Sequence, residues 1–139
     1  MYEDAAWRSG RYLTLAKTYH QAAAALIDSP DFDDLRPPFF GLLGQAAELA
    51  LKAVVARGGC DDERLLVLGH DLVRCWQLAQ AQADCTKVAA SIEPLIELLA
   101  RPHQAQAVRY PTLLSWPSPG PREALWAVGQ LLALPADGP

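Results

Sequence analysis

The chain has 139 residues, 51% of them hydrophobic and 20% charged, with a formal net charge of −4. That length suits one domain with a sizeable core, and the acidic balance argues against a broad nucleic-acid groove, which needs surplus Lys and Arg to displace counterions. No apolar run approaches the ~18–20 residues of a membrane span, and the opening MYEDAAWRSGR puts acids first with no apolar core, unlike a signal peptide.

Residues 4 to 28 form the first predicted helix. Tyr12, Leu15, Ala16, Tyr19, Ala22, Ala23, Leu26 and Ile27 follow the i, i+3, i+4, i+7 pattern of an amphipathic helix. Asp28-Ser29-Pro30 ends it, because the residue before a proline resists the α conformation. Residues 29 to 37 read as an acidic loop with Phe32 and Leu35 tucked beneath it. A central helix from Pro38 to Arg57 follows, with proline suited to its entry and Gly58-Gly59 as its stop.

That central helix is apolar almost all round, which demands burial on nearly every side. Its exception is a polar line, Gln45, Glu48 and Lys52, at steps of three and four, which place the side chains on one face. Residues 60 to 69 hold one short helical turn. His70-Asp71 opens a third helix, with Asp71 complementing its dipole and Leu72, Cys75, Trp76 and Ala79 turned inward. A fourth helix spans Lys87 to Arg101, with Thr86 as its N-cap. Pro94 either kinks it or starts its second half, and Pro102 ends it. Residues 102 to 120 are too rich in proline for a helix. A last helix runs from Arg122 to Leu134, with Pro121 in its first turn and a frayed tail after it. No strand-like alternation and no internal repeat occurs. The expected fold is all-α, an antiparallel up-and-down bundle of four to five helices in a single domain.

The order of these features resembles the HEPN (higher eukaryotes and prokaryotes nucleotide-binding) superfamily, as a small stand-alone bacterial member, over roughly residues 5 to 111. An aromatic, Ala-rich helix comes first. Glu48-Leu49-Ala50-Leu51-Lys52 and a Gly-Gly turn follow, then Gly69-His70-Asp71-Leu72, then Arg109-Tyr110-Pro111. The resemblance implies a helical bundle that dimerises through its central helices. It also implies association with a nucleotidyltransferase, a toxin–antitoxin pair or a defence system. Many members are metal-independent ribonucleases with an Arg, four to six residues, then a His, and a polar residue straight after the Arg. Arg64 and His70 have five residues between them, but Leu65 stands where a polar residue is expected and the pair precedes the third helix rather than a late one. His103 and Arg109 lie late but in reverse order. The catalytic pattern is degraded or absent.

Three groups of candidate residues remain. Gln45, Glu48 and Lys52 either line a ligand or RNA site or hold an i, i+4 ion pair, which is the expected role. His70 and Asp71 either serve acid–base or phosphate-binding chemistry or, as expected, cap the third helix and bond to the Glu48–Lys52 stripe. His103, Arg109 and Tyr110 either hold a phosphate and stack a base or fix their own loop, and the two readings stay open. Trp116 is read as an interface anchor. Cys60, Cys75 and Cys85 lack metal-ligand spacing, and no second ligand stands one turn from His70, so neither metal nor other cofactor is expected. Reduced thiols and the lack of an export signal lead to an expectation of a cytoplasmic protein.

Two functions are therefore expected in competition. One is a non-catalytic interaction module, a homodimer acting beside a partner protein or nucleic acid, without membrane contact. The other is a metal-independent endoribonuclease using His70 with Arg64, or His103 with Arg109.

Overall fold

The computed structural model describes residues 4–104 and 118–134, and every structural statement below concerns these. It is a helical bundle of six helices, with no strand among the described residues: α1 (Ala5–Ile27), α2 (Phe32–Arg57), α3 (Asp62–Leu68), α4 (Leu72–Gln82), α5 (Thr86–Gln104) and α6 (Pro121–Leu131). Carboxylates at three helix starts accept otherwise orphaned N–H bonds. Asp4 takes that of Trp7 at 2.7 Å, Asp61 that of Arg64 at 2.9 Å and Asp71 that of Arg74 at 3.0 Å.

The α2 helix is the axis of the bundle and touches each of the others. Phe39, Leu43, Leu51 and Val54 are buried along it with Ala46, Ala50 and Ala53 between them. The alanines allow α1, with Ala16 and Ala23 fully buried, to lie close against α2. This is the most extensive helix pair in the structure. The two run antiparallel, since Ser9 near the start of α1 donates its hydroxyl to the Ala53 carbonyl near the end of α2 at 2.7 Å. The α6 helix runs back along α1. Arg122 pairs with Asp28 at 2.6 Å and the His20 ring bonds the Leu125 carbonyl at 2.8 Å.

Several sequence expectations are corrected here. The acidic loop is helical from Phe32 onward, where α2 begins, so Pro37 and Pro38 lie inside the helix. The bonds they cannot donate would go to the carbonyls of Asp33 and Asp34, both exposed to water. Phe32 is held by the core, its ring meeting that of Phe39 edge to face at 5.2 Å. The short turn after Gly59 is the full helix α3, capped by Asp61. Pro102 does not end α5, which runs on to Gln104, and Pro94 lies within α5 rather than at the start of a separate helix. The carbonyl that Pro94 leaves unbonded belongs to exposed Ala90, while Pro102 is buried. Thr86 is the first residue of α5 rather than its cap. Asp84 receives both its backbone N–H at 3.0 Å and its hydroxyl at 2.7 Å. Leu15 is not inward but 47% exposed.

The apolarity of α2 has a plain cause. Phe32–Arg57 has the length and composition to cross a membrane, contrary to the sequence expectation, yet 83% of its most apolar stretch is buried inside the bundle. Residues 105–117 and 135–139, including Arg109, Tyr110, Trp116 and the tail, lie outside the described residues.

Candidate functional site

Only four buried side chains among the described residues are polar or charged, namely Ser9, Glu48, Lys52 and His103. Three of the four meet in one cluster, with half-exposed His70 completing it. Glu48 is its hub. Oε1 accepts from His70 Nδ1 at 2.8 Å and from His103 Nε2 at 2.8 Å. Oε2 accepts from Lys52 Nζ at 2.9 Å, and the same ammonium donates to the Gly69 carbonyl at 2.9 Å.

Each member is delivered by a different local device. Glu48 and Lys52 sit one turn apart on α2, so their side chains stack along one face. One turn before Glu48 comes Gly44, and the space its missing side chain leaves is taken by His103. A Cβ on residue 44 would lie 2.6 Å from His103 Nδ1. His103 itself is carried by the last turn of α5. His70 is placed by the α3–α4 connection, where Gly69 adopts φ +55° and ψ −133°, a backbone conformation that L side chains rarely take. Lys52 ties that turn down by its bond to Gly69. The two imidazole rings then meet edge to face, centroids 5.4 Å apart.

The electrostatics favour an ionised hub. Burial alone would raise the carboxyl pKa, but hydrogen bonds from His103, His70 and Lys52, together with the Lys52 charge, outweigh it and bring Glu48 down to about 2. A buried Glu–Lys pair is tolerable only when the remaining bonding capacity is filled, and the histidines and the Gly69 carbonyl do that. Next to the cluster, burial pushes the Cys75 thiol up to about 12, so it stays protonated. Because Oε1 only accepts, neutral His70 carries its proton on Nδ1 and neutral His103 on Nε2. The side chain of His70 is 42% exposed, against 3% for His103.

The sequence-derived candidates divide accordingly. Glu48, Lys52 and His70 come together. Gln45 is half-buried on α2 and makes no bond to them. Asp71 caps its helix as expected, accepting the backbone N–H of Arg74, and forms no bond to Glu48 or Lys52. Arg64 is exposed on α3 and forms no ion pair or hydrogen bond with His70. His103, expected to work with Arg109, bonds Glu48, 55 residues away. One signal for it was legible: an isolated glycine within a buried helix usually has a packing reason, and Gly44 is such a glycine. The convergence also supplies what ligand spacing could not reveal. Glu48, His70 and His103 each offer one metal-ligating atom, and these lie within 4.8 Å of one another. A surface groove of about 680 Å³ near the α4–α5 turn and the end of α6, lined in part by Gln80, Asp84, Lys87 and Gln130, contains none of these groups.

Compared with models of known protein families, with curated proteins and with solved structures, the chain produces no significant match.

Proposed function

We propose that this chain is a HEPN-like helical interaction module without catalysis of its own. It acts as a homodimer beside a partner protein of the nucleotidyltransferase, toxin–antitoxin or defence type, or beside nucleic acid. The observation that carries this reading is that His70 is bound to Glu48 and not to Arg64, so the one pair with ribonuclease-like spacing does not converge. The motif residues Glu48, Lys52, Gly69 and His70 bond one another instead, which supports a role in holding the bundle together.

A partner surface has its own support. Leu66 is 79% exposed and Val67 83% exposed on the outer face of α3, with Val73 on α4 also open to solvent. Leu66 and Val67, adjacent on one short helix and largely exposed, suit an association surface. The α2 helix has most of its surface covered within the subunit, so the dimer contact is assigned to this α3–α4 corner. Light scattering coupled to size exclusion is expected to find a dimer, and the double substitution Leu66→Asp, Val67→Asp a monomer. A monomeric parent protein would overturn the homodimer.

One observation favours the metal-independent endoribonuclease as a second reading. A half-exposed imidazole oriented by a buried carboxylate is a general-base arrangement. Incubation with structured and unstructured RNA in EDTA separates the two. Intact RNA is expected, and cleavage abolished by His70→Ala would establish the enzyme.

A further inference from the structure

Two imidazoles and a carboxylate on one centre form a donor set with a known preference. The set is two nitrogens and one oxygen, supplied by α2, the α3–α4 turn and the end of α5. Hard cations such as magnesium and calcium require mostly oxygen ligands. Borderline ions, zinc foremost, accept this mixture and bind three protein ligands with water in the fourth position. We propose that Glu48 Oε1, His70 Nδ1 and His103 Nε2 form a three-ligand site for zinc or a similar borderline divalent ion.

Four features support it. Both ring nitrogens already stand 2.8 Å from the same oxygen, while bonds of ~2.0–2.2 Å to a tetrahedral zinc would separate the donors by roughly 3.3 Å. Each ring nitrogen needs to move about half an ångström from Oε1, and the two nitrogens, which lie within 4.8 Å of each other, need to reach the same spacing; only His70 lies on a turn rather than within a helix. The outer bonds of a metal site are also in place. Lys52 holds Oε2, so the carboxylate offers Oε1 alone to the histidines, and Gly44 gives the His103 ring its room. Such supporting contacts orient ligands and are part of a working site. Finally, the side chain of His70 is 42% exposed, which leaves an entry path and a place for water.

Binding would be balanced by tautomer exchange. In the neutral rings the His70 proton moves from Nδ1 to Nε2 and the His103 proton from Nε2 to Nδ1, so that each nitrogen facing Oε1 presents a lone pair. The Lys52 ammonium opposes a second cation nearby, so affinity is expected to fall below that of structural zinc sites. The site goes beyond the proposed function and does not depend on it, since neither dimerisation nor absence of ribonuclease activity bears on metal affinity.

The test uses the full chain, freed of metal with chelator and titrated with zinc chloride or cobalt chloride alone. One equivalent is expected to bind, with cobalt giving visible absorption bands of a four-coordinate site. Histidine-ring NMR on the unaltered chain should show His70 and His103 shifting while His20, bonded to the Leu125 carbonyl and not to Glu48, does not. His70→Ala removes a half-exposed ligand and is expected to weaken zinc binding at least about a hundredfold, whereas His20→Ala leaves it unchanged. Absence of stoichiometric binding would overturn the site. So would zinc-dependent shifts confined to His20, or affinity that survives His70→Ala.

Discussion

Gly44 and His103 are a fitted pair: the ring of one occupies the volume that any side chain on the other would need, with Nδ1 2.6 Å from an ideal Cβ position. Gly44→Ala should therefore do more than add a methyl group. The alanine gains up to ~1 kcal/mol in helix propensity. Against it stands an overpacking cost of about 1–3 kcal/mol in a buried, immobile site. The expected result is a net loss of about 1 kcal/mol in urea unfolding, accompanied by displacement of the His103 ring resonances. An increase in stability with those resonances unmoved would show that the ring has room elsewhere.

Lys52 joins the hub to the turn that presents His70. Lys52→Met keeps the length of the apolar stem but removes the charge and both bonds, to Glu48 and to the Gly69 carbonyl. A buried carboxylate that loses its cation typically costs 3–5 kcal/mol. The two histidines continue to bond Glu48, so about 3 kcal/mol is expected. Amide exchange around Gly69 and Asp71 should accelerate more than in α1, because the turn loses its tether.

The Glu48 carboxyl has a defined pH signature in chelator-treated protein. Its folded value of about 2 lies below the usual 4.5. Its contribution is therefore complete above the unfolded value and disappears as pH falls from about 5 toward 2. At ~1.4 kcal/mol for each tenfold change in proton affinity, the contribution is about 3 kcal/mol. Glu48→Gln should be less stable at neutral pH and show a flatter acid limb over that window. Parallel acid limbs for the parent and the variant would assign the acid sensitivity to other carboxylates.

Asp71 and His70 are neighbours in sequence with separate roles. Asp71 caps α4 through the Arg74 N–H at 3.0 Å and His70 bonds the hub. Asp71→Ala is expected to cost about 1 kcal/mol, the usual value of an N-cap, and Asp71→Asn only a fraction of that. Neither should disturb the His103 resonances, whereas His70→Ala should.

Much of the helical layout was legible in the chain, because apolar spacing and caps are local signals. Most of the α1 stripe, Leu15 and Ala22 excepted, the largely apolar α2 and the Asp71 cap follow from the sequence alone. Boundaries at prolines could not. Pro37, Pro38, Pro94 and Pro102 all lie inside helices, since a helix loses only one bond at each and tertiary packing outweighs that loss. In the site, the Glu48–Lys52 pair was readable from its i, i+4 spacing. Its contact with His70 was foreseen from motif order. The expected contact with Asp71 was not found, because a carboxylate at a helix start has a closer partner in the backbone.

The sequence by itself determined that the chain is helical and that α2 must be buried, and the i, i+4 spacing marked Glu48 and Lys52 as an ion pair. Periodicity and charge spacing act over four residues, so they are visible in one dimension. Tertiary structure alone decided what completes that pair. His103 comes from a helix end 55 residues beyond Glu48, and no local pattern connects the two. Burial raises the cost of each bonding site on Glu48 left empty. The fold fills them with two histidines from elements distant in sequence, and that requirement turns a core helix with a polar line into a site.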